Sequence, residues 1–197
     1  MLTNTNEMLS RAQKHRYAVP GFNFYNLETL QSIVAAAEQT AHPVILSVSE
    51  GALKYMGADT CVAMVKSRIS NLQSPISLHL DHGRTFDACK TAIDAGFTSV
   101  MIDASDKPFD ENVALTRAVA DYAHKHNVSV EGELGSLTGF EEDAPSSFIL
   151  PTSSLFTNPE QSSLFISLSG VDSLAVSIGT SHGAYKMPKL PPCGGVG

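Results

Sequence analysis

An incomplete (β/α)8 barrel of the TIM type, with about six βα units, is the α/β fold class that the sequence predicts. Three observations predict it. Short apolar runs alternate with longer segments of helical periodicity along the 197 residues, the pattern of βαβ units around a parallel sheet. Polar residues close nearly every run: Asn23, Ser49, Asp81, Asp103, Glu133 and His182. An open doubly wound sheet needs such residues only at its switch point, whereas a barrel collects them from every strand at one rim. A complete barrel takes eight strands and typically about 250 residues, so this chain is expected to supply six units and then stop.

The elements follow in order. Tyr17-Ala18-Val19 leads into Pro20-Gly21-Phe22-Asn23-Phe24 as the first strand. Leu27 to Gln39 is a helix capped by Asn26, with Leu27, Leu30, Ile33, Val34 and Ala37 on one face. Pro43 to Val48 is the second strand and Asp59 to Asn71 the next helix. Ile76 to Leu80 is the third strand, followed by a turn opened by Gly83 and a helix from Thr85 to Ala95 that Gly96 ends. Thr98 to Ile102, Val128 to Leu134 and Ser173 to Ile178 are the remaining strands. Phe109 to His126 and Pro159 to Leu168 are the remaining helices.

Two stretches break the alternation. Gly135 to Asn158 is long for a βα connection and rich in Gly, Ser, Thr, Pro and acids, the composition of a mobile active-site loop. Residues 188–197 are Pro- and Gly-rich, which excludes a helix or a central strand. The expected organisation is one partial barrel over residues 1–187 and an irregular tail.

The totals exclude several classes. Thirteen basic against 20 acidic residues give a net charge of −7, which argues against nucleic acid and anionic membranes as partners. Three widely spaced cysteines point to a reduced compartment rather than a disulfide framework. No signal peptide or membrane-spanning run is apparent, so the expected address is the cytoplasm. Dinucleotide-binding, Walker A and nucleophile-elbow patterns are missing.

What remains is a dispersed set of histidines and carboxylates at strand ends. Leu78-His79-Leu80-Asp81-His82-Gly83 runs from an apolar strand into an acid, an imidazole and a glycine. The last strand repeats the plan, ending at Thr180-Ser181-His182-Gly183. Either histidine alone reads more readily as a strand cap or a gap-filling residue. Two together, with Asp81 adjacent, suit a catalytic divalent metal, although such a site usually takes three protein ligands. Asp103 also reads as a helix cap, Glu141 and Glu142 as solvated loop charges, and His79 as a packed strand residue. Asn23 and Ser49 either face a substrate or bond strand-end backbone.

Six segments in order carry a resemblance. They are Tyr17-Ala18-Val19-Pro20-Gly21-Phe22-Asn23 with Asn26-Leu27-Glu28, Ser49-Glu50-Gly51-Ala52 with Lys54-Tyr55-Met56-Gly57, Leu78-His79-Leu80-Asp81-His82-Gly83, Gly96-Phe97-Thr98-Ser99-Val100-Met101-Ile102-Asp103-Ala104-Ser105, Glu131-Gly132-Glu133-Leu134-Gly135 and Gly179-Thr180-Ser181-His182-Gly183-Ala184-Tyr185-Lys186. Together they resemble the class II, metal-dependent ketose-bisphosphate aldolases. The resemblance implies a zinc-dependent barrel that cleaves a ketose 1,6-bisphosphate to glycerone phosphate and glyceraldehyde 3-phosphate. Fructose bisphosphate leads over tagatose bisphosphate as the implied substrate.

By the same resemblance, His82 and His182 are zinc ligands and Asp81 moves the proton of the substrate C4 hydroxyl. Asp103 and Glu133 lie near the metal, behind its ligands or as alternative ligands. Glu141, or Glu142 beside it, moves the triose C1 proton. Gly183 gives a backbone contact to the triose phosphate, while Asn23 and Ser49 contact substrate. A second divalent or a monovalent cation and a homo-oligomeric state are further implications.

The sequence departs from the family after Lys186. A third zinc histidine and the phosphate-binding segments of a seventh and an eighth strand are not present. The polypeptide is therefore expected to be C-terminally truncated; it represents either an aldolase active as its full-length parent or, on its own, an inactive scaffold that binds zinc weakly.

Overall fold

The computed structural model describes residues 2–70, 73–135 and 156–178, together with the backbone of two short strands at 138–139 and 181–182. The elements in chain order are α1 (Thr5–His15), β1 (Gly21–Asn23), α2 (Leu27–Thr40), β2 (Val44–Ser49), α3 (Glu50–Met56), α4 (Ala58–Arg68), β3 (Ile76–Gly83) and α5 (Phe86–Ala95). They continue with β4 (Ser99–Ile102), α6 (Phe109–Ala123), a 3-10 turn (His124–His126), β5 (Ser129–Leu134), β6 (Thr138–Gly139), α7 (Pro159–Ser169), β7 (Ser173–Val176) and β8 (Ser181–His182). Gly135 to Asn158 and the tail lie largely or wholly outside the described residues.

Six strands form one sheet in the order β1-β2-β3-β4-β5-β7, and every pairing is parallel. The order follows the chain without reversal, so the sheet has no switch point and forms the wall of a partial barrel. β6 and β8 pair with each other, in parallel, as a separate ladder.

Side-chain alternation divides this wall into two faces. Leu46, Val48, Leu78, Leu80, Val100, Ile102 and Val130 are fully buried and belong to the core that the sheet shares with its helices. The alternate residues Ile45, Ser47, His79, Asp81, Met101, Glu131 and Glu133 line a cavity of about 220 Å³ on the other face.

The helix ends follow their local chemistry. Asn26 and Thr29 form a reciprocal capping box on α2. Thr85 accepts from the Ala88 amide at the start of α5, and Gly96 closes that helix with φ at 109°.

The predicted helix to His126 ends earlier, at Ala123, and tightens into the 3-10 turn. α1 and α3 are additions to the predicted elements. α1 buries only Thr5, Met8 and Ala12, and most of its other residues are polar or charged, so no apolar run announces it in the sequence. It closes the N-terminal end of the strands: the Thr5 amide donates to Ser129 Oγ over 2.9 Å, and its hydroxyl lies 3.2 Å from that of Ser99. Among the described residues no helix is long and apolar enough to cross a membrane.

Candidate metal and proton-transfer site

The site begins with a slip in register. β3 pairs His79 with Ser99 and Leu80 with Val100, then resumes with Gly83 opposite Ile102. In a regular strand the neighbours Asp81 and His82 would face opposite sides. The irregularity re-aims them, and both line the cavity. His82 takes φ 51°, a left-handed conformation that is costly for a residue with a Cβ.

Gly83 is the last residue of β3 rather than the opening of a turn, which corrects the sequence expectation. A Cβ there would come within 2.8 Å of the Met101 carbonyl oxygen and 2.9 Å of Cys89 Sγ. Glycine is needed at this position for close packing.

His82 is the centre of a polar cluster. Its Nδ1 lies 3.0 Å from Asp103 Oδ2 and 3.7 Å from Glu133 Oε2, and its Nε2 lies 4.0 Å from Asp81 Oδ1. The hydrogen bond to Asp103 outweighs burial and, with the nearby Asp81 and Glu133 carboxylates, raises the His82 pKa to about 9. Asp103 Oδ1 accepts from the amide and hydroxyl of Ser105, at 3.1 and 2.7 Å. Burial pushes Asp103 up, but the hydrogen bonds from His82 and Ser105 prevail and hold it at about 2.

Asn23 reaches this cluster from β1. Its Nδ2 donates to Asp81 Oδ2 over 2.6 Å. Ser49 stands opposite Asp81 in the β2–β3 ladder and accepts from the Ala52 amide, capping α3. The Arg84 amide donates to Glu50 Oε1 over 2.6 Å, tying the segment after His82 to α3.

Deeper in the cavity, His79 Nδ1 lies 2.8 Å from Ser99 Oγ and its Nε2 lies 3.6 Å from Glu131. Burial lowers the His79 pKa to about 4, and burial together with Asp81 raises that of Glu131 to about 7. His79 is the packed strand residue that the sequence allows.

Several contributions escape the sequence reading. Ser105 could have been found from Asp103-Ala104-Ser105, a spacing suited to a side chain that bonds the backbone two residues on. The strand period places Glu131 on the same face as Glu133. Glu50 carries no local signal for its bond to Arg84. The His182 side chain, Gly183, Glu141 and Glu142 lie outside the described residues, although the His182 backbone pairs opposite Gly139.

His82, Asp103 and Glu133 each offer one donor atom, all within 4.8 Å of one another. The separations of 3.0 and 3.7 Å from His82 Nδ1 fall within the span of about 4.4 Å open to two atoms bound at about 2.2 Å to one divalent ion. One imidazole and two carboxylates are a donor set that Zn²⁺ accepts. Glu133 and Asp103 are 2% and 7% exposed, so a cation would offset two negative groups placed away from solvent.

Comparison with known proteins gives the family and the fold. The sequence model of the family described as class-II fructose-bisphosphate aldolase matches residues 3–192. The fructose-bisphosphate aldolase of Geobacillus stearothermophilus is 48% identical over 96% of this chain, and that of Giardia intestinalis 48% over 94%. The chain spans 66% and 56% of the lengths of these relatives. Among solved structures, the YdjI aldolase from Escherichia coli K12 superposes with a TM-score of 0.79 at 32% identity, over 92% of this chain and 64% of that one. The fructose-bisphosphate aldolase from Campylobacter jejuni shares the fold, with a TM-score of 0.79 at 23% identity over 96% of this chain and 61% of that one.

Proposed function

The chain belongs to the class-II fructose-bisphosphate aldolase family, and from that membership we propose that the protein cleaves fructose 1,6-bisphosphate into glycerone phosphate and glyceraldehyde 3-phosphate by a zinc-assisted retro-aldol reaction. The observation that carries the proposal is Asp81, held by Asn23 and lying 4.0 Å from His82 Nε2. A hydroxyl-proton acceptor thus stands beside a metal donor.

His82 and His182 are the proposed imidazole donors for Zn²⁺. Asp103 accepts the Nδ1 proton of His82, which leaves Nε2 for the metal; such an acceptor fixes the tautomer and orientation of a ligand histidine. Glu133 lies behind the same imidazole. The close approach of His82, Asp103 and Glu133 favours a second arrangement, in which these three side chains are the ligand set. When bound, the ion supplies the positive charge that polarises the ketose carbonyl.

Asp81 takes the C4 hydroxyl proton as the carbon–carbon bond breaks. Asn23 occupies Oδ2 of that carboxylate, so Oδ1 is the atom that receives the proton. Ser49 uses an oxygen lone pair to cap α3 and keeps its own proton for a substrate oxygen. Asn23 and Gly183 complete the proposed substrate contacts, the latter through its backbone. Glu141, or Glu142, moves the proton at the triose C1.

The test is release of glycerone phosphate from fructose 1,6-bisphosphate, measured with Zn²⁺ and after chelation, with tagatose 1,6-bisphosphate in parallel. Release that requires the metal and prefers the fructose substrate is expected. Release that survives chelation overturns the metal role. Preference for tagatose bisphosphate overturns the substrate; no release from either overturns the activity for this polypeptide and leaves the inactive scaffold as its reading.

A further inference from the structure

We propose that Asn112 and Thr116 on α6 are positioning residues for Glu133, setting the place of its carboxylate in the metal site; this rests on the metal-dependent reading above. Both lie at the helix–sheet interface, where α6 otherwise buries Val119, Ala120 and Ala123. Asn112 is 1% exposed and Thr116 is fully buried. Apolar residues would pack in such places without needing hydrogen-bond partners. The polar pair is used instead: Asn112 Nδ2 donates to the Glu133 carbonyl over 2.9 Å, and Thr116 Oγ1 donates to Asn112 Oδ1 over 3.0 Å.

The bond falls where the sheet stops supplying one. The β4–β5 ladder ends with Ile102 opposite Gly132, so Glu133 is the first residue past it. Asp103, which follows Ile102, turns its amide to the Gly83 carbonyl on the other side. The α6 carboxamide takes the place of the missing strand neighbour.

Thr116 is one helical turn from Asn112. By occupying the amide oxygen, it fixes which end of the carboxamide faces β5. The Glu133 backbone is thereby pinned, and its side chain leaves that point toward His82, 3.7 Å from Nδ1. On its other side the same strand end is held by β7, where Glu133 lies opposite Ala175 and Leu134 opposite Val176, so the Asn112 bond completes the restraint on the β4 side alone.

The test is titration of the full 197-residue chain with Co²⁺, followed by its visible absorption, with the metal-free unfolding midpoint measured alongside. Asn112→Leu is expected to weaken Co²⁺ binding about 10–100-fold, the usual effect of removing a group that orients a ligand, and to change the absorption envelope. Thr116→Val, which keeps the volume and deletes the hydroxyl, should weaken it by less.

A purely structural pair would lower the unfolding midpoint and leave Co²⁺ affinity and spectrum of the folded variants unchanged; that result overturns the proposal. If Asn112→Leu does not fold, Thr116→Val decides by the same criterion. If the unsubstituted chain takes no Co²⁺, the metal reading fails separately. The pair is then judged by ¹⁵N relaxation of metal-free Thr116→Val, where added motion confined to Glu133 and Leu134 supports positioning and unchanged motion overturns it.

Discussion

The Asn23 amide donates to Asp81 Oδ2 over 2.6 Å, joining the rim of β1 to that of β3 across the intervening β2. A hydrogen bond to a charged group contributes about 1.5–3 kcal/mol, and this one also selects which carboxylate oxygen faces His82. Asn23→Ala is therefore expected to lower kcat by roughly 10–100-fold, as about 1.4 kcal/mol corresponds to tenfold. Asp81→Ala should cost about 10²–10⁴-fold, the range for a general acid–base group. Steady-state cleavage with parallel metal analysis checks both, and each variant should retain its metal. Parent-like kcat in Asp81→Ala would remove that residue from proton transfer.

The two arrangements of metal donors predict different losses. If His82 and His182 are the ligands, His182→Ala should abolish tight Zn²⁺ binding, and Glu133→Gln should weaken it only about 10–100-fold. If His82, Asp103 and Glu133 are the ligands, the order reverses. Competitive titration against a zinc-binding dye gives the ranking. His82→Ala should abolish tight binding in both cases.

The His82–Asp103 pair gives metal-free stability a defined pH window. His82 is raised to about 9 from 6.5, so its contribution is complete below about 6.5 and is lost as pH rises through 9. Asp103 is held at about 2 against 3.8, so its contribution is complete above about 4 and is lost as pH falls through 2. The pair is worth most between about pH 4 and 6.5. Glu131, raised to about 7 from 4.5, adds to the alkaline decline, because its contribution is lost as pH rises from about 4.5 through 7. Urea unfolding across pH should show falling stability from neutral to about pH 9, with a shallower fall in Asp103→Asn. If His82 is a zinc ligand, the metal must displace its proton, and zinc affinity should climb with pH up to about 9.

Gly83→Ala tests the packing behind the register slip. The added methyl group meets the backbone oxygen of Met101 at 2.8 Å, an atom that cannot move without disturbing β4. Overpacking of this kind costs about 1–3 kcal/mol. The midpoint of chemical denaturation should fall accordingly, with metal affinity falling as well because His82 is the preceding residue.

By itself the sequence determined the alternation of strands and helices, the parallel sheet and the residues that close its strands. Those signals are local: runs such as Ile76 to Leu80, caps such as Asn26 and Thr85, and Gly96 each act within a few residues of themselves. Asp81, His82, Asp103 and Glu133 could be named as site residues from the strand ends and from the family resemblance. α1 was not legible, because its buried stripe of Thr5, Met8 and Ala12 gains meaning only against the floor of the barrel.

Tertiary structure alone decided the partners. Asn23 could face substrate or backbone on sequence grounds, and it bonds Asp81 from 58 residues away. Asp103 could cap a helix, and it bonds His82 and Ser105 instead. That Asp81 and His82 share one face depends on a slip in the β3–β4 ladder and on the room Gly83 gives it. Such relationships are set by strand register and packing between distant segments, while the sequence pattern records only which face of its own element each residue prefers.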